Sequence, residues 1–281
     1  MTTEIHPLLE QKEWRFVDHS RLGLEFSALQ SFAYDDTFCT SVGAGKSAPV
    51  VRVWVHKPTV VLGIQDGRLP YLDEGIHFLE QLGFQTIIRN SGGLAVILDE
   101  EILNVSLIWP EGKGIEINRG YEAMWQLVQL TMRTGGFHVP IEAREIVGSY
   151  CPGSFDLSID NKKFAGISQR RLRGGVAVQI YLCVAASGSK RAEIIKEFYE
   201  RALQGINTKF SYPKIIPATM ASLSELLHTD ITTNQMKNYL LEALQNIGEP
   251  RTPIRPSTSL NEYEQELFHY HYERLLKRNF M

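Results

Sequence analysis

Cysteine is scarce in this chain: three in 281 residues, at positions 39, 151 and 183, far apart and without a Cys-x-x-Cys pair. An odd count at that spacing fits neither a disulfide framework nor a zinc site, so no metal centre is expected. The composition reads as cytoplasmic and reduced, which leaves each thiol available for chemistry. Long apolar runs are also missing; stretches such as residues 59–64 are far too short to span a bilayer, so no membrane association is expected. The first residues carry early acidic groups and no apolar core, unlike a secretory signal. Positive charge is not in excess: the net charge is −3, which gives no field for nucleic acid or an acidic membrane surface. The P-loop, the Gly-x-Ser-x-Gly elbow and the His-Glu-x-x-His helix are all absent.

What remains is an ordinary globular composition, 43% hydrophobic and 22% charged, with length enough for a substantial core. Apolar spacing predicts helices over 26–38, 73–82, 121–132, 190–203, 223–227, 232–247 and 260–277. Alternating or β-branched runs predict strands over 50–55, 60–64, 84–88, 94–98, 102–108, 155–159, 163–169 and 176–184. Residues 112–120 read as a loop. Asp160-Asn161 suits a hairpin turn, because both residue types tolerate left-handed backbone angles. No repeat and no regular strand–helix alternation is present. The expected class is α+β, with mixed, largely antiparallel sheets flanked by helices and a C-terminal helical tail. Residues 1–220 read as the main domain, and 221–281 as a helical extension packed on it. A monomer is expected, since no exposed apolar stripe calls for a partner.

Three segments can carry chemistry. Arg89-Asn-Ser-Gly-Gly93 follows a strand, where paired glycines let backbone amides approach a ligand and Arg89 can hold a carbonyl or carboxylate. The plain alternative is a tight turn with Arg89 solvated. Gly148-Ser-Tyr-Cys-Pro-Gly153 places Cys151 in a Gly/Pro-bounded segment between elements, whereas Cys183, and to a lesser degree Cys39, sit like structural thiols. Position alone leaves a nucleophilic and a structural Cys151 about equally supported. In the third segment, Lys162-Lys163-Phe-Ala-Gly-Ile-Ser-Gln169, strict alternation puts Lys163, Ala165 and Ile167 on one face and Phe164, Gly166 and Ser168 on the other. An ammonium among small apolar neighbours seeks an anion, which a thiolate can supply; the alternative is a lysine that reaches back to water. The run Gln169-Arg-Arg-Leu-Arg173 reads as a solvated face that can also help dock an acidic protein.

Taken together and in order, a strand followed by Arg-x-Ser-Gly-Gly and then a Lys-x-x-Gly-x-Ser-Gln strand resembles the lipoate-protein ligase and biotin-protein ligase catalytic fold. Ser149-Tyr-Cys-Pro-Gly153, with Lys163-Phe-Ala-Gly-Ile-Ser-Gln-Arg-Arg171 and residues 176–182, is similar to the amidotransferase branch of that family. The likeness covers about residues 30–210. It implies transfer of an octanoyl group from a lysine of the glycine-cleavage H protein to a lysine on the lipoyl domains of 2-oxoacid dehydrogenase acyltransferase subunits. By the same resemblance Cys151 carries the acyl thioester and Lys163 keeps it ionised. Arg89, Ser91, Gly92 and Gly93 line the acyl pocket, with Leu94, Ala165 and Gly166 beside them, and no cofactor is needed. The ATP-using ligases of the family have a third glycine and a downstream histidine where this chain has Leu94 and Leu98, which argues against an acyl-adenylate. Three alternatives stay open: octanoyl from acyl carrier protein, ATP-dependent ligation, and a non-catalytic module that binds lipoyl domains.

Overall fold

A computed structural model describes residues 4–21, 24–112, 116–248 and 250–279. In chain order the elements are β1 (Trp14–His19), α1 (Ala28–Gly43), β2 (Val50–Trp54), β3 (Thr59–Leu62), α2 (Leu72–Gln81), β4 (Gln85–Ile88), β5 (Val96–Leu98) and β6 (Ile102–Pro110). They continue as α3 (Ile117–Thr134), β7 (Glu142–Ala143), β8 (Leu157–Ile159), β9 (Lys162–Leu172), β10 (Gly175–Cys183), α4 (Gly188–Leu203), α5 (Leu223–Leu227), α6 (Thr233–Gln245), β11 (Ile254–Pro256) and α7 (Glu262–Asn279). The expected α+β class with mixed, largely antiparallel sheets is what forms. Eight strands make one sheet, in the order β11-β1-β2-β6-β10-β9-β8-β7, and β4-β3-β5 make a second. Among the described strands, only β11–β1, β1–β2 and β3–β4 pair in parallel.

The large sheet is buried on both faces. Val51, Val53, Val105, Leu107, Val178 and Ile180 point into a core closed by Met124, Leu127 and Val128 of α3 and Met236 and Leu240 of α6. Each fully buried side chain of this kind contributes about 1.5–3 kcal/mol. Helix α6 starts where Thr232 and Gln235 form a reciprocal capping box, as the threonine at that position predicts. The opposite face is different. Sheet register lines up Arg52, Ser106, Gln179 and Ser168 in one cross-strand row, and α1 lays Asp35 over it. The Asp35 carboxylate takes hydrogen bonds from Arg52, Ser106 and Gln179, so the charge brought under the helix is fully paired. This pairing lets α1 run to Gly43, five residues past the predicted end, with both Asp35 and Asp36 buried.

Other boundaries shift for identifiable reasons. Helix α3 begins at Ile117, inside the stretch expected to be a loop; residues 113–115 of that stretch lie outside the described residues. Strands β1 and β11 were not expected at all, and they complete the edge of the large sheet by pairing with each other across 240 residues of chain. The Asp160-Asn161 turn does join β8 to β9, with φ of 49° and 61°. Beyond that hairpin β9 departs from strict alternation. Leu157 pairs with Ala165 but Ser158 pairs with Lys163, so β9 carries one extra residue. Phe164 and Ala165 therefore both enter the core under α3, and Lys163 swings to the side of Gly166.

Candidate active site

Cys151 sits in the loop between β7 and β8, in a left-handed conformation with φ of 44°. That backbone is uncommon for a residue with a side chain and persists where the surroundings hold it. Here the holding groups are Lys163 and Asp156. The Lys163 ammonium is wholly buried and donates to the carbonyl oxygens of Tyr150 at 3.0 Å and Cys151 at 2.9 Å. It forms an ion pair with Asp156 at 2.9 Å, and Ser149 Oγ lies at 3.4 Å. The other Asp156 oxygen accepts the backbone N–H groups of Gly153 at 3.2 Å and Ile146 at 3.3 Å. Burial pushes the Asp156 carboxyl above its ordinary range, and the adjoining ammonium pulls it back. Asp156 is thus the hub of the Cys151 turn, yet it was not among the residues expected from sequence. Its signal there is faint: a carboxylate three residues after Gly153, spaced to accept that turn's N–H.

The sulfur itself faces the Arg89–Leu94 loop. Sγ accepts the Leu94 N–H at 3.1 Å, with Arg89 Nη2 at 3.7 Å. Arg89 is only 7% exposed, which removes the solvated-turn reading; its Nη2 also donates to the Leu94 carbonyl at 2.9 Å. Gly93 adopts φ of 95°, and a β-carbon there would sit 2.2 Å from Arg89 Nη2 and 3.1 Å from Sγ. The loop can wrap the thiol only because position 93 has no side chain.

Two recesses meet at this point. A cavity of about 270 Å³ opens from Cys151, Gly92 and Gly93 toward Phe32, Trp54, Val61, Val96 and Leu98. Gly166, Asn104 and Gln179 form part of its wall, the last tied into the polar row under α1. A groove of about 560 Å³, bordered by Ile64, Phe210 and Tyr212, shares Gly92, Gly93 and Pro152 with the cavity. Cys151 lines the cavity, next to the shared Pro152.

The structure therefore brings Cys151, Lys163, Arg89, Gly92, Gly93, Leu94 and Gly166 together. Ser91 borders the groove and not the cavity, and its buried hydroxyl has no partner. Ala165 is in the core under α3 and is not among the cavity-lining residues, because the extra residue in β9 turns it away. The arginine run is not simply solvated either: Arg170 is paired with the buried Asp36 and donates to Asn90 O at 3.3 Å, bracing the loop that carries Arg89.

A sequence model for the lipoyl protein ligase A/B catalytic domain matches residues 27–245. The chain belongs to that family. Among its relatives, proteins named octanoyl-[GcvH]:protein N-octanoyltransferase are 56% identical in Anoxybacillus flavithermus (97% of this chain, 96% of that one) and 54% identical in Geobacillus kaustophilus (98% and 95%). A Staphylococcus aureus protein of the same name is 48% identical over 95% of this chain and 93% of its own. A putative lipoate protein ligase from T. acidophilum with bound lipoic acid shares the fold, with a TM-score of 0.68 at 17% identity over 93% of this chain and 95% of that one. A lipoate-protein ligase A bound with ATP matches equally, with a TM-score of 0.68 at 17% identity and the same coverage. The two solved structures share this chain's fold.

Proposed function

We propose that this chain is a protein N-octanoyltransferase that carries the acyl group on Cys151 as a thioester. It would take octanoyl from a lysine of the glycine-cleavage H protein and give it to a lysine of lipoyl domains in 2-oxoacid dehydrogenase complexes. The supporting observation is the thiol's position: a turn-borne sulfur, fixed by a backbone amide, in the wall of a largely apolar cavity that shares Gly92, Gly93 and Pro152 with a neighbouring groove. The cavity suits an eight-carbon chain, and each methylene moved out of water contributes about 0.8 kcal/mol. The groove leaves room for a lysine side chain presented by a carrier protein.

In the first half-reaction the Cys151 thiolate attacks the donor's amide carbonyl. The C–N bond breaks, the departing lysine nitrogen takes a proton from solvent, and the acyl group remains on sulfur. In the second, a neutral lysine of the acceptor attacks the thioester carbonyl, its nitrogen gives a proton back to solvent, the C–S bond breaks, and the thiolate returns. Donor and product are both amides, so the exchange is near balance and needs no nucleotide. Backbone amides near Gly92 and Gly93 would receive the oxyanion, where one donor is worth roughly 100-fold in rate. We read residues 1–220 as the catalytic unit and 221–281 as an extension packed on it.

Intact-protein mass spectrometry after mixing with octanoylated H protein, without ATP, tests this reading. The expected result is one added octanoyl mass that hydroxylamine removes and Cys151→Ala never acquires. An adduct only with octanoyl-acyl carrier protein would assign a different donor. No adduct with either would reject covalent transfer.

A further inference from the structure

Among the described residues four lysine and arginine side chains are buried: Arg52, Arg89, Lys163 and Arg191. Three have a carboxylate in contact. Arg52 meets Asp35 at 2.8 Å, Lys163 meets Asp156 at 2.9 Å and Arg191 meets Asp99 at 2.7 Å. Arg89 is the exception: it forms no ion pair within 4.0 Å with any described carboxylate, and its buried Nε has no hydrogen-bond partner. A guanidinium does not lose its proton, so a buried one without a counter-ion is left with its charge uncompensated. The acidic group it does touch is the Cys151 thiol.

Lys163 is in the opposite condition. An ammonium has three N–H groups, and Tyr150 O, Cys151 O and Asp156 Oδ1 take all three at 2.9–3.0 Å. None is left for the sulfur, and the field of an adjacent plus–minus pair falls off faster than that of a lone charge.

We propose that Arg89, together with the Leu94 amide, is the cation that holds the Cys151 thiolate, and that the Lys163–Asp156 pair acts on the backbone of the turn. The proposal rests on the reading of Cys151 as nucleophile. The other titratable groups around the sulfur do not offset Arg89 as closely. Asp66 acts on Arg89 only beyond ion-pair distance, its oxygens occupied by Gly63 N–H at 2.7 Å and Tyr199 OH at 2.9 Å. The phenols of Tyr181 and Tyr199 are pushed well above their ordinary range by burial and stay neutral.

The test is the pH midpoint of Cys151 alkylation by iodoacetamide, followed by peptide mass spectrometry, which does not depend on acyl transfer. Arg89→Gln is expected to raise the midpoint by about one unit or more, a tenfold loss of thiolate at a given pH. Lys163→Gln combined with Asp156→Asn, which removes the pair without orphaning a charge, is expected to slow octanoyl-enzyme formation while the midpoint stays put. Arg89→Met repeats the first measurement without a polar head group should Arg89→Gln not fold. A midpoint unmoved in the Arg89 variants, or raised as much in the double variant, overturns the proposal. Absence of any octanoyl adduct on wild-type enzyme, with these alkylation shifts intact, would instead defeat the transferase reading alone.

Discussion

Two cysteines in this chain each have an arginine against the sulfur, and they are not equivalent. Cys183 lies at the end of β10 with Arg191 Nη1 only 3.1 Å from its Sγ, closer than Arg89 comes to Cys151. Yet burial pushes the Cys183 thiol up to about 12. Arg191 is already engaged by both oxygens of Asp99, at 2.7 and 2.8 Å, and by the Ala185 carbonyl at 2.8 Å. Arg191 pulls the thiol down, but burial outweighs it and the Asp99 carboxylate works against it. Cys39, in α1, is likewise pushed up to about 12 by burial, with the Asp36 carboxylate adding to the effect. Around Cys151 the arginine has no described carboxylate in contact, the sulfur accepts a backbone amide, and the residue lines a cavity. Both thiols have a cation near; what sets Cys151 apart is an arginine without a described carboxylate in contact, beside a thiol that lines a cavity.

The contrast can be broken or sharpened by substitution. The largest effect is expected from Cys151→Ala: octanoyl transfer falls to background in a carrier-to-carrier assay, while circular dichroism and the unfolding midpoint stay near wild type. Cys183→Ala should transfer normally once its modest packing loss is allowed for. Gly93→Ala comes next. Its new β-carbon displaces Arg89 from the sulfur and the backbone is strained at φ of 95°, so transfer should drop about 100-fold, with about 1–3 kcal/mol lost in urea unfolding. Lys163→Ala leaves Asp156 buried without its partner, and should destabilise the protein by about 3–5 kcal/mol. Lys163→Met with Asp156→Leu should recover most of that stability without recovering full activity.

The smallest effect on the thiol concerns Asp66, the carboxylate that acts on Arg89 at longer range. Desolvation raises its value to about 6 from an ordinary 3.8, against hydrogen bonds from Gly63 and Tyr199 and the charge of Arg89. A carboxyl raised in the folded state binds its proton more tightly there than in the unfolded chain. Its contribution to stability is therefore present below the ordinary value and is lost as pH rises through about 6. Up to about 3 kcal/mol is at stake. Asp66→Asn should remove that slope from stability measured between pH 4 and 6.5, and should modestly hasten Cys151 alkylation at neutral pH.

Much of this was legible in the residue order. The Gly/Pro-bounded segment marks Cys151 as lying in a turn, as it does, while position alone leaves its role open between nucleophile and structural thiol. The hairpin at Asp160-Asn161 follows from local backbone chemistry and appears as expected. What was not legible depends on contacts distant in sequence. β1 is interrupted by Arg15, Asp18 and His19, and becomes a strand only because β2 and β11 flank it. The extra residue in β9, which sends Ala165 to the core and Lys163 to Cys151, leaves no mark on a period of two. Asp156 reads as part of a strand until Lys163 and the Gly153 N–H are seen to converge on it. The role of Arg89 rests on the carboxylate it lacks, which no local pattern records.

The most direct test of the account is to locate the acyl group. Wild-type enzyme, quenched in acid seconds after mixing with octanoylated H protein, would be digested and its three cysteine peptides weighed. The account predicts octanoyl on the Cys151 peptide alone, with Cys39 and Cys183 unmodified and the label passing to a lipoyl domain added before the quench. Octanoyl on Cys183 or Cys39, or a label on Cys151 that never moves on to the acceptor, would contradict it.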